Sequence, residues 1–128
     1  MTDKAKLYFT EEHEWVEIVN DTLVRIGISD YAVEQLGDIV FVELPEADTD
    51  LGAGDEFATV ESVKSTSEIY APVGGAVARV NDALEDEPEK LNESPFEDGW
   101  LIELNVSADI DVSGLMDAGA YDDYVSSL

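Results

Sequence analysis

The chain has 128 residues, 31 acidic side chains against 6 basic ones, a formal net charge of −25, a single histidine and no cysteine. That length suits one domain with a real core, and no apolar run approaches the ~20 residues of a membrane span. Without cysteine there are no disulfides, zinc–thiolate sites or thiol nucleophiles; without a basic patch nucleic-acid binding is disfavoured; any histidine-based catalysis would rest on His13 alone.

The segment from Met1 to Lys6 lacks the apolar stretch of a secretory signal, so a cytoplasmic location is expected, and the Asn-x-Ser/Thr matches at Asn20, Asn92 and Asn105 read as chance. Residues 15–19 and 23–28 read as strands around the turn Asn20-Asp21-Thr22. Ser29 and Asp30 are placed to cap a short helix over 31–36, with Gly37 as its stop. Residues 39–44 form a strand closed by Pro45. The acidic loop from Asp48 to Asp55 fails the EF-hand spacing, because its twelfth position is Thr59 and not Glu. Residues 57–61 and 67–70 flank Ser62-Val-Lys-Ser-Thr66 as a hairpin, and 76–80 follow as a strand after the turn from Pro72 to Gly75. Residues 81–94 read as a polar loop with at most one helical turn, and 100–106 as a strand. From Ser113 onward, Leu115, Met116, Tyr121, Tyr124 and Val125 fall at helical spacing, with Gly119 expected to split the segment in two.

Short strands bounded by Gly and Pro predict an all-β sandwich or barrel with small helices attached, one unit over 1–128 with its core at about 23–106 and a helical tail at about 113–128. Gly37-Asp-Ile-Val-Phe-Val42 faintly repeats as Gly75-Ala-Val-Ala-Arg-Val80. Phe41 and Trp100 are expected in the core, and His13 beside Trp15 as a structural pair. The charge would suit disorder, but 45% of the residues are apolar and fall in alternating runs. A folded protein adapted to molar salt, where the Debye length is ~3 Å, fits better; a DNA-mimicking acidic protein is the alternative.

Lys64 is the unusual residue. Of four lysines, Lys4, Lys6 and Lys90 lie in tail or loop segments, while Lys64 sits at the centre of the hairpin. On spacing alone it reads as a solvated turn lysine. It also meets the demand of a swinging arm, an exposed amine on a rigid support, and small neighbours (Ser62, Ser65, Thr66) leave room for a modifying enzyme.

The run from Phe57 through Glu61-Ser-Val-Lys64-Ser-Thr-Ser-Glu68 to Pro72 resembles the lipoyl-attachment segment of the glycine cleavage system H proteins. His13-Glu-Trp-Val16, Ile26-Gly-Ile-Ser-Asp-Tyr-Ala32, Leu36-Gly-Asp-Ile-Val-Phe-Val-Glu-Leu-Pro45, Asn92-Glu-Ser-Pro95 and Gly99-Trp100 are similar to that family's blocks, in its order. Biotin carriers place methionines beside their lysine, where Val63 and Ser65 stand here; lipoyl domains of 2-oxo-acid dehydrogenases typically put Asp before it. Ser65 departs from the alanine frequent in the family.

The resemblance implies a lipoyl/biotinyl-type barrel-sandwich hybrid and a non-catalytic carrier, with lipoate attached to Lys64 as N6-lipoyllysine by a lipoate ligase or lipoyltransferase. It implies three partner enzymes. Glycine decarboxylase leaves an aminomethyl group on the lipoyl sulfur, the tetrahydrofolate-dependent aminomethyltransferase removes it, and dihydrolipoyl dehydrogenase reoxidises the dithiol. Chemistry then belongs to cofactor and partners, while this chain attaches, presents and protects. Glu61 and Gly75 match positions shown to the lipoylating enzyme, beside their plainer readings as a strand-end charge and a turn glycine. Glu12, Glu14 and Glu68 match positions near the cleft that shelters the loaded arm. A monomer is expected. The acidity implies acidic partners that dock through apolar contacts at high salt. Two alternatives stay open: a lipoyl relay protein of the same fold, and an unmodified acidic interaction protein.

Overall fold

The computed structural model describes residues 7–20, 22–106 and 114–128. In chain order its elements are β1 (Tyr8–Phe9), β2 (Glu14–Asn20), β3 (Leu23–Ile28), α1 (Asp30–Leu36), β4 (Ile39–Glu43), β5 (Asp50–Leu51), β6 (Glu56–Ser62), β7 (Thr66–Tyr70), β8 (Gly75–Val80), α2 (Ala83–Asp86), α3 (Glu89–Glu93), β9 (Ile102–Asn105), β10 (Met116–Asp117) and α4 (Ala118–Ser126). The strands make a seven-stranded sheet ordered β10-β1-β2-β3-β9-β8-β5 and a three-stranded sheet ordered β4-β6-β7, antiparallel throughout and without barrel closure. The all-β two-sheet expectation is met. No described helix is long and apolar enough to cross a membrane.

Period-two alternation builds the core. Val24, Ile26, Ile102, Leu104 and Val77 of the large sheet share one buried cluster with Val42, Val60 and Ile69 of the small sheet. On the other parity of the large sheet, Arg25 and Arg79 stand in register on either side of Glu103. One Glu103 oxygen accepts Arg25 Nε and Nη2 at 3.0 and 2.8 Å; the other accepts Arg79 Nε at 2.7 Å. Both guanidinium groups lie over the Trp100 ring, at 5.3 and 5.4 Å from its centroid. Burial raises the Glu103 pKa, but the arginine contacts outweigh it and hold the carboxyl below its ordinary value.

A second cluster joins the two ends of the described chain. Phe9 stacks on Tyr121 of α4 at 4.2 Å, and Trp15 packs nearby with its Nε1 donating to the Pro95 carbonyl at 3.1 Å. The Tyr121 hydroxyl lies 2.7 Å from both His13 Nδ1 and Ser29 Oγ, and burial pushes its pKa up to about 12.

Several local expectations need correction. The two-residue strands β1 and β10 pair with each other and carry no alternation to read. Residues 81–94 hold two short helices, each burying one leucine (Leu84, Leu91). Gly119 does not break α4, because it falls in the first turn, where Asp117 caps the Ala120 N–H. Phe41 is 44% exposed, since the irregularity between Ile39 and Phe41 and the inward parity of Val42 turn it outward. Trp100 is only partly buried, under the two arginines. His13 is structural, but its ring partners are Tyr31, Tyr121 and Tyr124 instead of Trp15. The expected turn residue Asp21 and the start of the tail at Ser113 lie outside the described residues.

Trp15 faces Gly27 across the β2–β3 pair, and a Cβ at Gly27 would meet the indole at 2.6 Å. Gly27→Ala should therefore lower stability by ~1–3 kcal/mol through overpacking. Denaturant unfolding would show this as a lower midpoint at unchanged slope.

Candidate functional site

The β6–β7 hairpin closes with Glu61 opposite Thr66, and its tip is tightly hydrogen bonded. The Ser62 N–H donates to the Ser65 carbonyl at 2.8 Å. Ser62 Oγ accepts the Lys64 and Ser65 N–H groups, each at 3.1 Å, and donates back to the Ser65 carbonyl. The remaining tip donor, Val63 N–H, reaches across to the Asp38 carbonyl at 3.0 Å. Every backbone N–H from Ser62 to Ser65 thus has a partner. An exposed turn stiffened in this way is a firm mount for a side chain.

The Lys64 stem lies against Gly37, where an added Cβ would sit 3.2 Å from Cε. Gly37 ends α1 at φ +82°, a conformation that itself favours glycine. Lys64 is exposed and, among the described residues, forms no ion pair. The ammonium is therefore presented to solvent while its stem is seated on the fold. Val40, Phe41 and Val63 are exposed at 54%, 44% and 65%, an apolar setting around the turn.

The other sequence candidates are distributed unevenly. Glu61 shares the hairpin with Lys64 and stands in register with Phe41 and Thr66. Gly75 opens β8 in the other sheet, where a Cβ would approach the Asn105 carbonyl oxygen to 2.4 Å, so close packing explains that glycine. Glu14 is buried at the start of β2; its two oxygens accept the Thr10 hydroxyl at 2.9 Å and the Tyr70 N–H at 3.1 Å. Burial raises its pKa more than those hydrogen bonds lower it.

Two grooves meet at Glu12. One, of about 260 Å³, runs between α1 and β7 and is lined by Ile28, Tyr31, Leu36, Ser67 and Ile69, with Glu12 and His13 among its polar residues. The second, of about 340 Å³, is lined by Glu12, Glu14 and Tyr70 among others. Glu68 lines neither, because it is exposed on the parity opposite to Ser67 and Ile69. Thus Glu12 and Glu14 are brought together, and Glu68 is not. Sequence reasoning passed over Ser62 as the hub of the turn; a serine two before the turn lysine was the available signal.

A stiff β platform that seats a lysine stem and leaves its amine free has the build of a carrier domain. Residues 7–128 match the family model described as "Glycine cleavage H-protein". The chain is 52% identical over 124 residues to the glycine cleavage system H protein of Parvibaculum lavamentivorans, covering 97% of this chain and 98% of that one. It is 50% identical over 123 residues to that of Chromohalobacter salexigens, covering 96% and 94%. A crystal structure of a glycine cleavage system H protein from Mycobacterium marinum superposes with a TM-score of 0.88 at 35% identity, covering 95% of this chain and 98% of that one. The chain belongs to the glycine cleavage H-protein family. It is a lipoyl carrier of the glycine cleavage system and not itself an enzyme, in a family whose members hold lipoate on a lysine.

The raised Glu14 pKa sets a pH prediction. A carboxyl raised on folding favours the folded state while protonated; that contribution is full below the ordinary value of 4.5 and is lost as pH rises through the folded value. Glu14→Gln removes this loss. Its melting temperature relative to the parent should therefore rise as pH climbs from 4.5, at fixed salt. A difference that stays flat over that range would count against the assignment.

Proposed function

We propose that Lys64 is the lipoate attachment site. The observation that carries this reading is the exposed lysine without an ion pair among the described residues, seated on a turn whose backbone donors are all satisfied. Acylation turns the ammonium into a neutral amide. Among the described residues no carboxylate is paired with it, so its lost charge breaks no salt bridge. Bound lipoate supplies a disulfide–dithiol couple. The chain supplies the mount, a place for the arm to rest and a surface for its partners, and we take residues 1–128 to act as one unit.

The α1–β7 groove is the proposed resting place. It borders Leu36, one residue before the Gly37 on which the Lys64 stem lies. Its apolar wall excludes water from a bound arm, and Glu12 is placed to pair with a cationic group. Of the three candidate carboxylates, Glu14 already has both oxygens engaged and Glu68 faces outward, so Glu12 takes that role. Glu61, beside the lysine, is proposed to contact the lipoate ligase or lipoyltransferase; Gly75 adds to that recognition while keeping its close approach to Asn105.

The partners in this reading are glycine decarboxylase, the aminomethyltransferase and dihydrolipoyl dehydrogenase, each meeting a cytoplasmic monomer. The exposed Val40, Phe41 and Val63 favour docking through apolar contact, which suits a net charge of −25 and a salt-rich cell. A relay that passes lipoate to other carriers is a weaker reading, because no observation favours it.

Intact mass of the natively produced protein should show one lipoyl amide on Lys64, and Lys64→Ala should abolish glycine cleavage while its melting curve stays within error of the parent. An unmodified Lys64 in a host with working lipoylation would sink the assignment. Binding to the aminomethyltransferase should also persist as KCl is raised to molar levels; a steep loss would show that opposite charges, and not the apolar residues, hold the complex.

A further inference from the structure

Asn92 lies in α3, far along the chain from the hairpin, yet its side chain holds the corner on which the hairpin rests. Its Nδ2 donates to the Gly37 carbonyl at 2.9 Å, and its Oδ1 accepts the Ile39 N–H at 2.9 Å. The side-chain amide thus mimics a peptide group and closes on the backbone at both flanks of Asp38. The Asp38 carbonyl in turn accepts the Val63 N–H at 3.0 Å, and Gly37 carries the Lys64 stem. Both of these contacts of the Lys64 turn with the α1–β4 corner therefore fall on the three residues this one amide spans.

We propose that Asn92 is a positioning residue for Lys64, a role resting on the assignment of Lys64 as the attachment site. Its amide fixes the corner, the corner fixes Val63 and the lysine stem, and the amine is offered in one direction to the enzyme that acylates it. Without the amide, the hairpin still forms through Ser62, but its tip samples orientations that the enzyme must select among. Selection from a fraction of the population raises the apparent KM in inverse proportion to that fraction and leaves the bound-state step unchanged.

The test uses the full chain with a lipoate ligase, lipoate and ATP, varying the carrier concentration. Asn92→Ala should raise KM roughly three- to tenfold with kcat unchanged. Asn92→Asp, which keeps the acceptor for Ile39 and loses the donor to Gly37, should fall between. Modification of Lys64 by a small acylating reagent should proceed at the parent rate in all three chains, since the amine stays exposed. A parent-like KM in folded Asn92→Ala, or a fall in kcat alone, overturns the proposal. Should Asn92→Ala fail to fold, amide exchange in the parent decides. Ile39 and Val63 must exchange slowly and together, and exchange of Ile39 at the rate of an unprotected amide overturns it. An unmodified Lys64 in the parent would instead defeat the attachment site, so the two failures are distinct.

Discussion

The Val63 N–H to Asp38 carbonyl bond at 3.0 Å joins the hairpin tip to the body of the protein. The β4–β6 ladder holds the hairpin up to Ser62, which pairs with Ile39, and the Val63 bond carries that anchoring into the turn itself. The base is held too: the Tyr70 N–H, at the far end of β7, donates to the Glu14 carboxylate. β7 is the edge of the three-stranded sheet, so this bond also occupies a donor that an unguarded edge would leave open to pairing. The β4–β6 ladder, one backbone bond at the tip and one carboxylate at the base thus hold the hairpin together. A carrier needs this combination of a stiff mount and a free side chain, since mobility belongs in the arm and not in its foundation.

The distribution of cations follows the same logic. In a chain of net charge −25, both arginines go to Glu103, bridging three adjacent strands of the large sheet over Trp100. Lys90 stands 3.4 Å from Glu87, three residues before it. A surface pair of that kind contributes little; among the described residues, the Glu103 cluster, with Glu103 only 4% exposed and bonded on both oxygens, is where opposite charges shape the fold. Lys64 is kept apart from these pairings among the described residues. Glu61 shares its hairpin, yet none of the described carboxylates pairs with the amine.

Elements with a strong local signal were legible. Ser29 capping the Ala32 N–H and Gly37 at positive φ are both visible as residue types at fixed spacing, and α1 falls where they put it. The hairpin follows from alternation on both arms of a short polar segment. What was not legible depends on partners distant in sequence. β1 and β10 exist because they pair with each other across the domain, and two-residue strands have no period. Leu84 and Leu91 are isolated apolar residues in a polar run, yet each is the buried foot of a short helix. Asn92 reads as an ordinary loop polar residue until Gly37 and Ile39 are known to lie beside it. The proposal for Lys64 rests on the ordered set of family-like blocks, because nothing in a local spacing tells a tethered amine from a solvated one.

The carboxylates around the groove show how far alternation alone could have gone. Ile69 is a large apolar residue in a strand, so it points inward, and Ser67 shares its parity. Glu68 must then face the opposite side, whatever the register, unless a bulge intervenes between them, and the only irregularity in the β6–β7 pair lies at the other end, between Glu56 and Ala58. From the β7 side, a carboxylate serving the groove has to come from a residue of the Ser67 parity or from a loop at its end. Glu12 satisfies the second condition. It precedes His13, whose φ of +73° turns the chain at the groove before β2 begins, and His13 is locked there by Tyr121. The C-terminal helix thereby fixes the loop that carries Glu12, so the wall and the charge of the groove are set by opposite ends of the chain.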